Sequence, residues 1–154
     1  MKTGTRSTAL ALGLLTLAVG AAFAHGGATG IVKERMDAMT EISRNVKIVG
    51  QMLKGTAAYK PDEIERAAKA IAGHAGDAMT DLFPEGSLMS PTEASPEIWA
   101  EWPEFSAYAE SLQSSAQTLE GLAVQGADKK SVAAAFGKVA ATCKTCHEAF
   151  RIKK

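Results

Sequence analysis

The chain has 154 residues, with 17 basic and 17 acidic side chains and a formal net charge of zero at pH 7. This length suits one domain with a buried core. Of the residues, 46% are hydrophobic and 22% are charged, which is typical of a globular protein and not of a disordered chain. No strongly basic surface is indicated, so the composition gives no sign of nucleic-acid binding.

The first 24 residues have the pattern of an export signal. Lys2 and Arg6 precede an apolar run that ends in Ala22-Phe23-Ala24, a small-x-small cleavage site. The run is too short for a retained membrane helix. We therefore expect cleavage after residue 24 and a mature domain of residues 25–154, with no membrane segment, in an oxidising compartment. Cleavage removes two of the 17 basic residues and none of the 17 acidic ones, so the formal net charge changes from 0 to −2.

The first predicted helix carries an apolar stripe in steps of seven and ends at Gly55. One residue of opposite character, Arg35, stands on this stripe, seven positions before Ile42. It either snorkels outward near the start of the helix or faces a group that needs a cation. The apolar positions of the stripe are Val32, Met39, Val46 and Leu53, with Ile42 and Val49 in the second register.

A second helix is predicted to start at Pro61, because Pro and two acidic residues suit a first turn. It is expected to run for about five turns before Phe83-Pro84 ends it. The longest loop follows, since Pro91 and Pro96 are too closely spaced for a continuous helix. The predicted inward positions are Ile64, Ala68, Ile71, Ala75, Ala78 and Leu82.

Two more helices complete the chain. In the third, Pro103 either kinks a helix that has already begun or opens the long helix proper. The fourth starts after Asp128, a suitable N-cap, and runs through Phe150. No segment alternates as a strand does. Short connections between most of the helices predict an all-α, antiparallel up-down-up-down four-helix bundle.

The fourth helix carries the main chemical motif, Cys143-Lys144-Thr145-Cys146-His147. Both cysteines of the chain and one of its three histidines fall within these five positions. Positions i, i+3 and i+4 share one helix face, so the two thiols and the imidazole point toward one bound group. Cys-x-x-Cys-His is the attachment pattern of haem c, in which both sulfurs bond to the porphyrin and the histidine binds iron.

Three other interpretations of this motif are weaker. A thioredoxin-like dithiol needs a βαβ setting, and a structural zinc site needs four protein ligands. A disulfide explains neither the histidine nor the helix. We therefore expect one covalent haem, with Cys143 and Cys146 as attachment sites and His147 as proximal ligand, and we read Arg35 as a cation facing the haem.

The sequence resembles class II c-type cytochromes, the cytochrome c prime group and its low-spin relatives. The resemblance rests on the C-terminal motif with the following Glu148-Ala149-Phe150-Arg151, and extends over most of the mature chain. It includes Arg35 with Met39 on helix one, Leu82-Phe83-Pro84, and Pro96-Glu97-Ile98-Trp99. It implies a periplasmic haem protein, cofactor contacts for Arg35 and Arg151, and a possible homodimer through helices one and two.

The family has two branches, and this sequence points to both. In one branch the sixth iron position is open or shielded and binds NO or CO, and Arg35 occupies the position of an arginine often seen there. In the other branch a helix-one methionine fills that position and the protein carries electrons. Met39 occupies that methionine's position.

Geometry narrows the methionines that could bind iron. Met52 lies about 20 Å further along helix one than Met39. Met89 falls in a loop, and Met79 is one position off the predicted stripe, which leaves Met36 and Met39. Met39 is on the stripe itself, so we expect it to be the axial ligand.

The expected function is therefore that of an electron carrier, not an enzyme, working with redox partner proteins. A five-coordinate protein that binds NO or CO is the alternative. A peroxidase would need a distal His or Glu, and neither the helix-one nor the helix-three stripe offers one.

Overall fold

The computed structural model describes residues 27–152, and the predicted export signal lies outside these residues. Four long helices form the bundle, and two single-turn helices accompany them. The long helices are α1 (Gly30–Lys54), α2 (Pro61–Gly73), α5 (Trp102–Val124) and α6 (Lys129–Phe150); the short ones are α3 (Asp77–Thr80) and α4 (Glu97–Ala100). The predicted all-α up-down-up-down bundle is confirmed.

The helix ends follow from local sequence. Gly55 closes α1 in the left-handed conformation, with φ of 81°, and its N–H bonds back to the last turn. Asp128 caps α6 by accepting hydrogen bonds from the backbone N–H groups of Lys130 and Ser131. Pro103 lies in the first turn of α5, so it begins the long helix and does not kink it.

The bundle is closed on three sides and open on the fourth. α2 packs along α1 and α5, and α5 packs along α6, whereas α1 and α6 meet over a short stretch. They approach where the Phe136 ring lies against Gly50, since a Cβ at Gly50 would stand 3.7 Å from that ring. Toward the other end, where α1 begins and α6 ends, the two helices leave space between them.

The single second helix of about five turns was a wrong prediction. α2 stops at Gly73, and the chain restarts as α3 after Gly76. Because of this interruption the inward positions shift by one residue: Met79 is 5% exposed, whereas Ala78, predicted to face inward, is exposed. Periodicity alone could not reveal the shift, since the apolar pattern before and after the break fits one continuous helix equally well.

Gly76 makes this break possible. Its φ is +60°, and its N–H donates to the carbonyl of Ala109 on α5 at 3.0 Å. A Cβ at this position would stand 2.6 Å from the side-chain oxygen of Gln113. The start of α3 is therefore held directly against α5 by a backbone hydrogen bond, and the φ of 60° and ψ of −138° at this position favour glycine.

We expect Gly76→Ala to lower the free energy of unfolding by about 1–3 kcal/mol, because alanine is strained at φ +60° and ψ −138° and the end of the Gln113 side chain must also move aside. Gly126→Ala is the matched control: φ there is +64°, but a Cβ would meet nothing within 4 Å. Urea unfolding of both variants separates the two causes. Equal losses at the two positions would mean that displacing the Gln113 side chain costs nothing measurable.

Among residues 27–152, no helix is both long and apolar enough to cross a membrane.

Candidate cofactor site

An apolar cavity lies at the end of the bundle where α1 and α6 separate. It contains about 720 Å³ of empty space, part of it continuous with solvent. Its α6 wall is formed by Thr142, Cys143, Cys146 and His147; its other walls are formed by Met39, Ile42, Ser43 and Val46 of α1, Met79 of α3, and Tyr108 and Leu112 of α5.

The three motif residues line this cavity together, as their helical spacing predicts. Cys143 and Cys146 are half-buried free thiols. His147 is exposed as a whole residue, although it also contributes to the cavity wall. The two sulfurs and the imidazole thus come from one wall, and the residues of α1, α3 and α5 complete the enclosure.

The protonation of these groups argues against thiol redox chemistry. Burial raises the pKa of Cys146 to about 11, and the neighbouring Cys143 adds to the shift. Burial also raises the pKa of Cys143. Thiol–disulfide exchange needs a thiolate, which these environments disfavour.

The surroundings of His147 favour the neutral form that binds a metal. Its pKa is lowered, first by burial and then by the charge of Arg151, with a smaller opposing effect from Glu93. A histidine binds a metal only when its imidazole is neutral. The lowered pKa therefore favours the state in which His147 can act as a ligand.

Met39 lies in the cavity wall, half-buried, on a different helix from His147. The structure also brings a second thioether to this cavity. Met79, set aside in the sequence analysis as off the stripe, is buried and lines the same space, so the reason for that exclusion was wrong. Met36, Met52 and Met89 are not among the lining residues, and Met89 is 60% exposed.

Arg35 does not snorkel into solvent, because it is only 5% exposed. Its guanidinium donates to the carbonyl oxygens of Leu82 and Ser87 and to the hydroxyls of Ser87 and Thr92, at 2.7–3.4 Å. It also stacks over the Phe83 ring at 4.0 Å. All these acceptors are neutral, and burial lowers the pKa of Arg35. The result is a buried cation that ties α1 to the loop after α3, outside the cavity lining.

Arg151 also lies outside the cavity lining. Its guanidinium forms an ion pair with Glu93, with Nε donating to a carboxylate oxygen at 2.7 Å. Backbone hydrogen bonds from Ser95 to Phe150 and from Ile152 to Glu93 join the same segments. The long loop is therefore attached to α1 through Arg35 and to the end of α6 through Arg151.

The donor set of the cavity fits a haem. Two thiols three residues apart, an adjacent imidazole and two thioethers supply attachment and axial donors, and the remaining lining is largely apolar, as a porphyrin requires. In the part of the chain that the structure describes, no group of three or more His, Cys, Asp or Glu is arranged to hold a metal ion by itself.

These features, a four-helix bundle with a Cys-x-x-Cys-His wall on an apolar cavity, define a c-type haem protein. The family model described as Cytochrome C' matches residues 30–151. The chain belongs to the cytochrome c' family. Its cofactor is haem c, covalently bound, one per chain.

Relatives and solved structures agree with this assignment. Cytochrome c-556 of Agrobacterium fabrum (strain C58) is 31% identical over 154 residues, covering 100% of this chain and 99% of that protein. The solved cytochrome c' from Rhodopseudomonas palustris has a TM-score of 0.75 at 29% identity, over 82% of this chain and 99% of that one. A nitric oxide complex of a variant cytochrome c prime from Alcaligenes xylosoxidans gives 0.71 at 30% identity, over 80% and 94%.

Proposed function

We propose that this protein is a one-electron carrier whose haem c is attached through Cys143 and Cys146. His147 and Met39 are the axial ligands in this proposal. The bound haem supplies a metal that gains and loses one electron. The single observation that carries the proposal is that Met39 and His147 line one cavity from different helices, α1 and α6.

The composition of the cavity supports a carrier over an enzyme. Apart from the motif residues, its lining consists of aliphatic, thioether and hydroxyl side chains and the phenol of Tyr108, and it contains no carboxylate. The distal His or Glu that a peroxidase would need is therefore missing from this lining. A methionine in the sixth position also closes iron to added molecules, so that an electron can be exchanged without other chemistry.

Arg35 and Arg151 have different roles in this proposal. Arg35 is the buried cation nearest to Met39 along α1, four residues away and therefore on the same helix face. It acts on the haem through its charge. Arg151 lies next to the C-terminal end of the motif, where its charge lowers the pKa of His147, and we propose that it contacts the haem periphery.

The proposed location is the periplasm, reached through residues 1–24 as a cleaved signal. Redox proteins of that compartment are the proposed partners. A homodimer through α1 and α2 remains part of the proposal; a related solved structure is described as a cytochrome c' with ligand-controlled dimer dissociation. Sedimentation equilibrium of the mature protein measures this directly.

Binding of NO or CO at a five-coordinate iron is the second candidate function. One observation favours it: the cavity is partly open to solvent, and Met39 is only half-buried. A structural relative has been solved as a nitric oxide complex. In this alternative Met39 shields the iron without binding it.

Methyl-¹³C-methionine NMR of the reduced holoprotein identifies the ligand. A methionine bound to iron has its methyl group above the porphyrin, where the ring current moves the resonance far upfield. We expect one such resonance. This resonance should be unchanged in Met79→Leu, the matched control from the same cavity. In Met39→Leu no resonance should remain at that chemical shift.

Two results would count against the assignment. A resonance that disappears in Met79→Leu but persists in Met39→Leu would make Met79 the ligand. The absence of any upfield methyl resonance in the unmutated protein would favour the five-coordinate alternative.

A further inference from the structure

The cavity contains one more sulfur than a His/Met iron site needs. Met39 reaches it from α1 and Met79 from α3, whereas His147 and both cysteines belong to α6. If α6 provides the attachment and the proximal ligand, both thioethers come from walls other than the proximal one. Each is therefore a candidate for the sixth position.

The position of Met79 is a product of the helix break. Without the interruption between Gly73 and Gly76, the inward-facing position would be Ala78, which ends in a methyl group and has no donor atom. The hydrogen bond from Gly76 to Ala109 holds α3 on α5 within one residue of Tyr108, itself a cavity residue. The helix break and this hydrogen bond therefore determine where the Met79 sulfur lies in the cavity wall.

Burial distinguishes the two methionines. Met79 is 5% exposed, whereas Met39 is half-buried on the side where α1 and α6 separate. Among the side-chain contacts of the described residues, the Met79 sulfur accepts no hydrogen bond that would give it another role. A methionine side chain has three rotatable bonds and a polarizable sulfur, so it adapts readily to a nearby acceptor.

We propose that Met79 is a reserve axial ligand, which binds iron when Met39 is removed or displaced. This inference rests on the proposed six-coordinate site and deepens it. The site then keeps a thioether on iron through either of two helices, and an added molecule such as CO must displace a sulfur even when Met39 is gone.

Three variants of the holoprotein test the proposal: Met39→Leu, Met79→Leu and the double variant, all labelled with methyl-¹³C-methionine. In Met39→Leu we expect the original upfield resonance to be replaced by a new one, and the double variant should have none. Leucine preserves the apolar volume of both positions, so the cavity should not collapse. Circular dichroism confirms that each variant is folded.

Uptake of CO by the reduced proteins gives a second readout. We expect the double variant to bind CO at least about tenfold more tightly than Met39→Leu, because in the single variant only the fraction with Met79 dissociated can bind. Met79→Leu retains Met39, so CO must still displace a sulfur in this variant.

The outcomes separate the reserve ligand from the proposed function. If the unmutated protein has an upfield methyl resonance and Met39→Leu has none and binds CO as tightly as the double variant, the reserve ligand is refuted while Met39 stands. A new resonance that persists in the double variant also refutes it, since another methionine must then be responsible. If the unmutated protein lacks the resonance, the proposed function itself fails.

Discussion

Holoprotein extracted with acid acetone and run on a denaturing gel will keep its haem on the polypeptide, and a Cys143→Ser/Cys146→Ser variant will release it. Haem c is held to the polypeptide by covalent thioether bonds, which a serine hydroxyl cannot form. Without those bonds, only the axial ligands and apolar packing retain the haem, and denaturation removes both.

Single variants provide the control for this expectation. Cys143→Ser and Cys146→Ser each leave one half-buried thiol in the cavity wall, so each should retain haem stain through one bond, at lower yield. Haem that leaves the unmutated polypeptide during extraction would contradict the attachment. Haem that remains on the double variant would place the attachment elsewhere.

Arg35→Leu should lower the reduction potential. Arg35 is a buried cation whose hydrogen-bond acceptors are all neutral, so its charge is not cancelled by a carboxylate in that network. Such a cation stabilises the reduced state, which carries one more electron. At a separation of about 10 Å and an effective dielectric constant of about 20, one charge contributes about 1.7 kcal/mol, or about 70 mV.

Arg35→Lys separates the charge from the loop contacts. Lysine keeps the positive charge but offers only three donors at one nitrogen, so it cannot reproduce the bonds to Leu82, Ser87 and Thr92. A spectroelectrochemical titration should therefore find a potential near that of the unmutated protein for Arg35→Lys and a lowered one for Arg35→Leu. Equal potentials in all three folded proteins would show that the charge does not act on the haem.

Much of the architecture could be predicted because it depends on local signals. Steps of seven in the apolar pattern, the cap at Asp128 and the glycine at position 55 define helix faces and ends within a few residues. The shared face of Cys143, Cys146 and His147 follows from helical spacing alone. These predictions needed no knowledge of which helix lies beside which.

Other features depend on contacts between distant segments and could not be predicted in this way. The acceptors of Arg35 lie 47 to 57 residues further along the chain, in a loop without periodicity. Arg151 and Glu93 are 58 residues apart. The break at Gly76 depends on a contact with α5, and that contact decides whether Ala78 or Met79 faces the cavity.

The absorption spectrum of the reduced, unmutated holoprotein, recorded before and after addition of CO, tests the proposed electron carrier most directly. Iron bound by both His147 and Met39 gives sharp low-spin bands, and CO changes them slowly or only in part, because it must first displace a sulfur. Broad high-spin bands that convert rapidly and completely on addition of CO would contradict the account, and would make the protein a binder of small gases with Met39 as a shield.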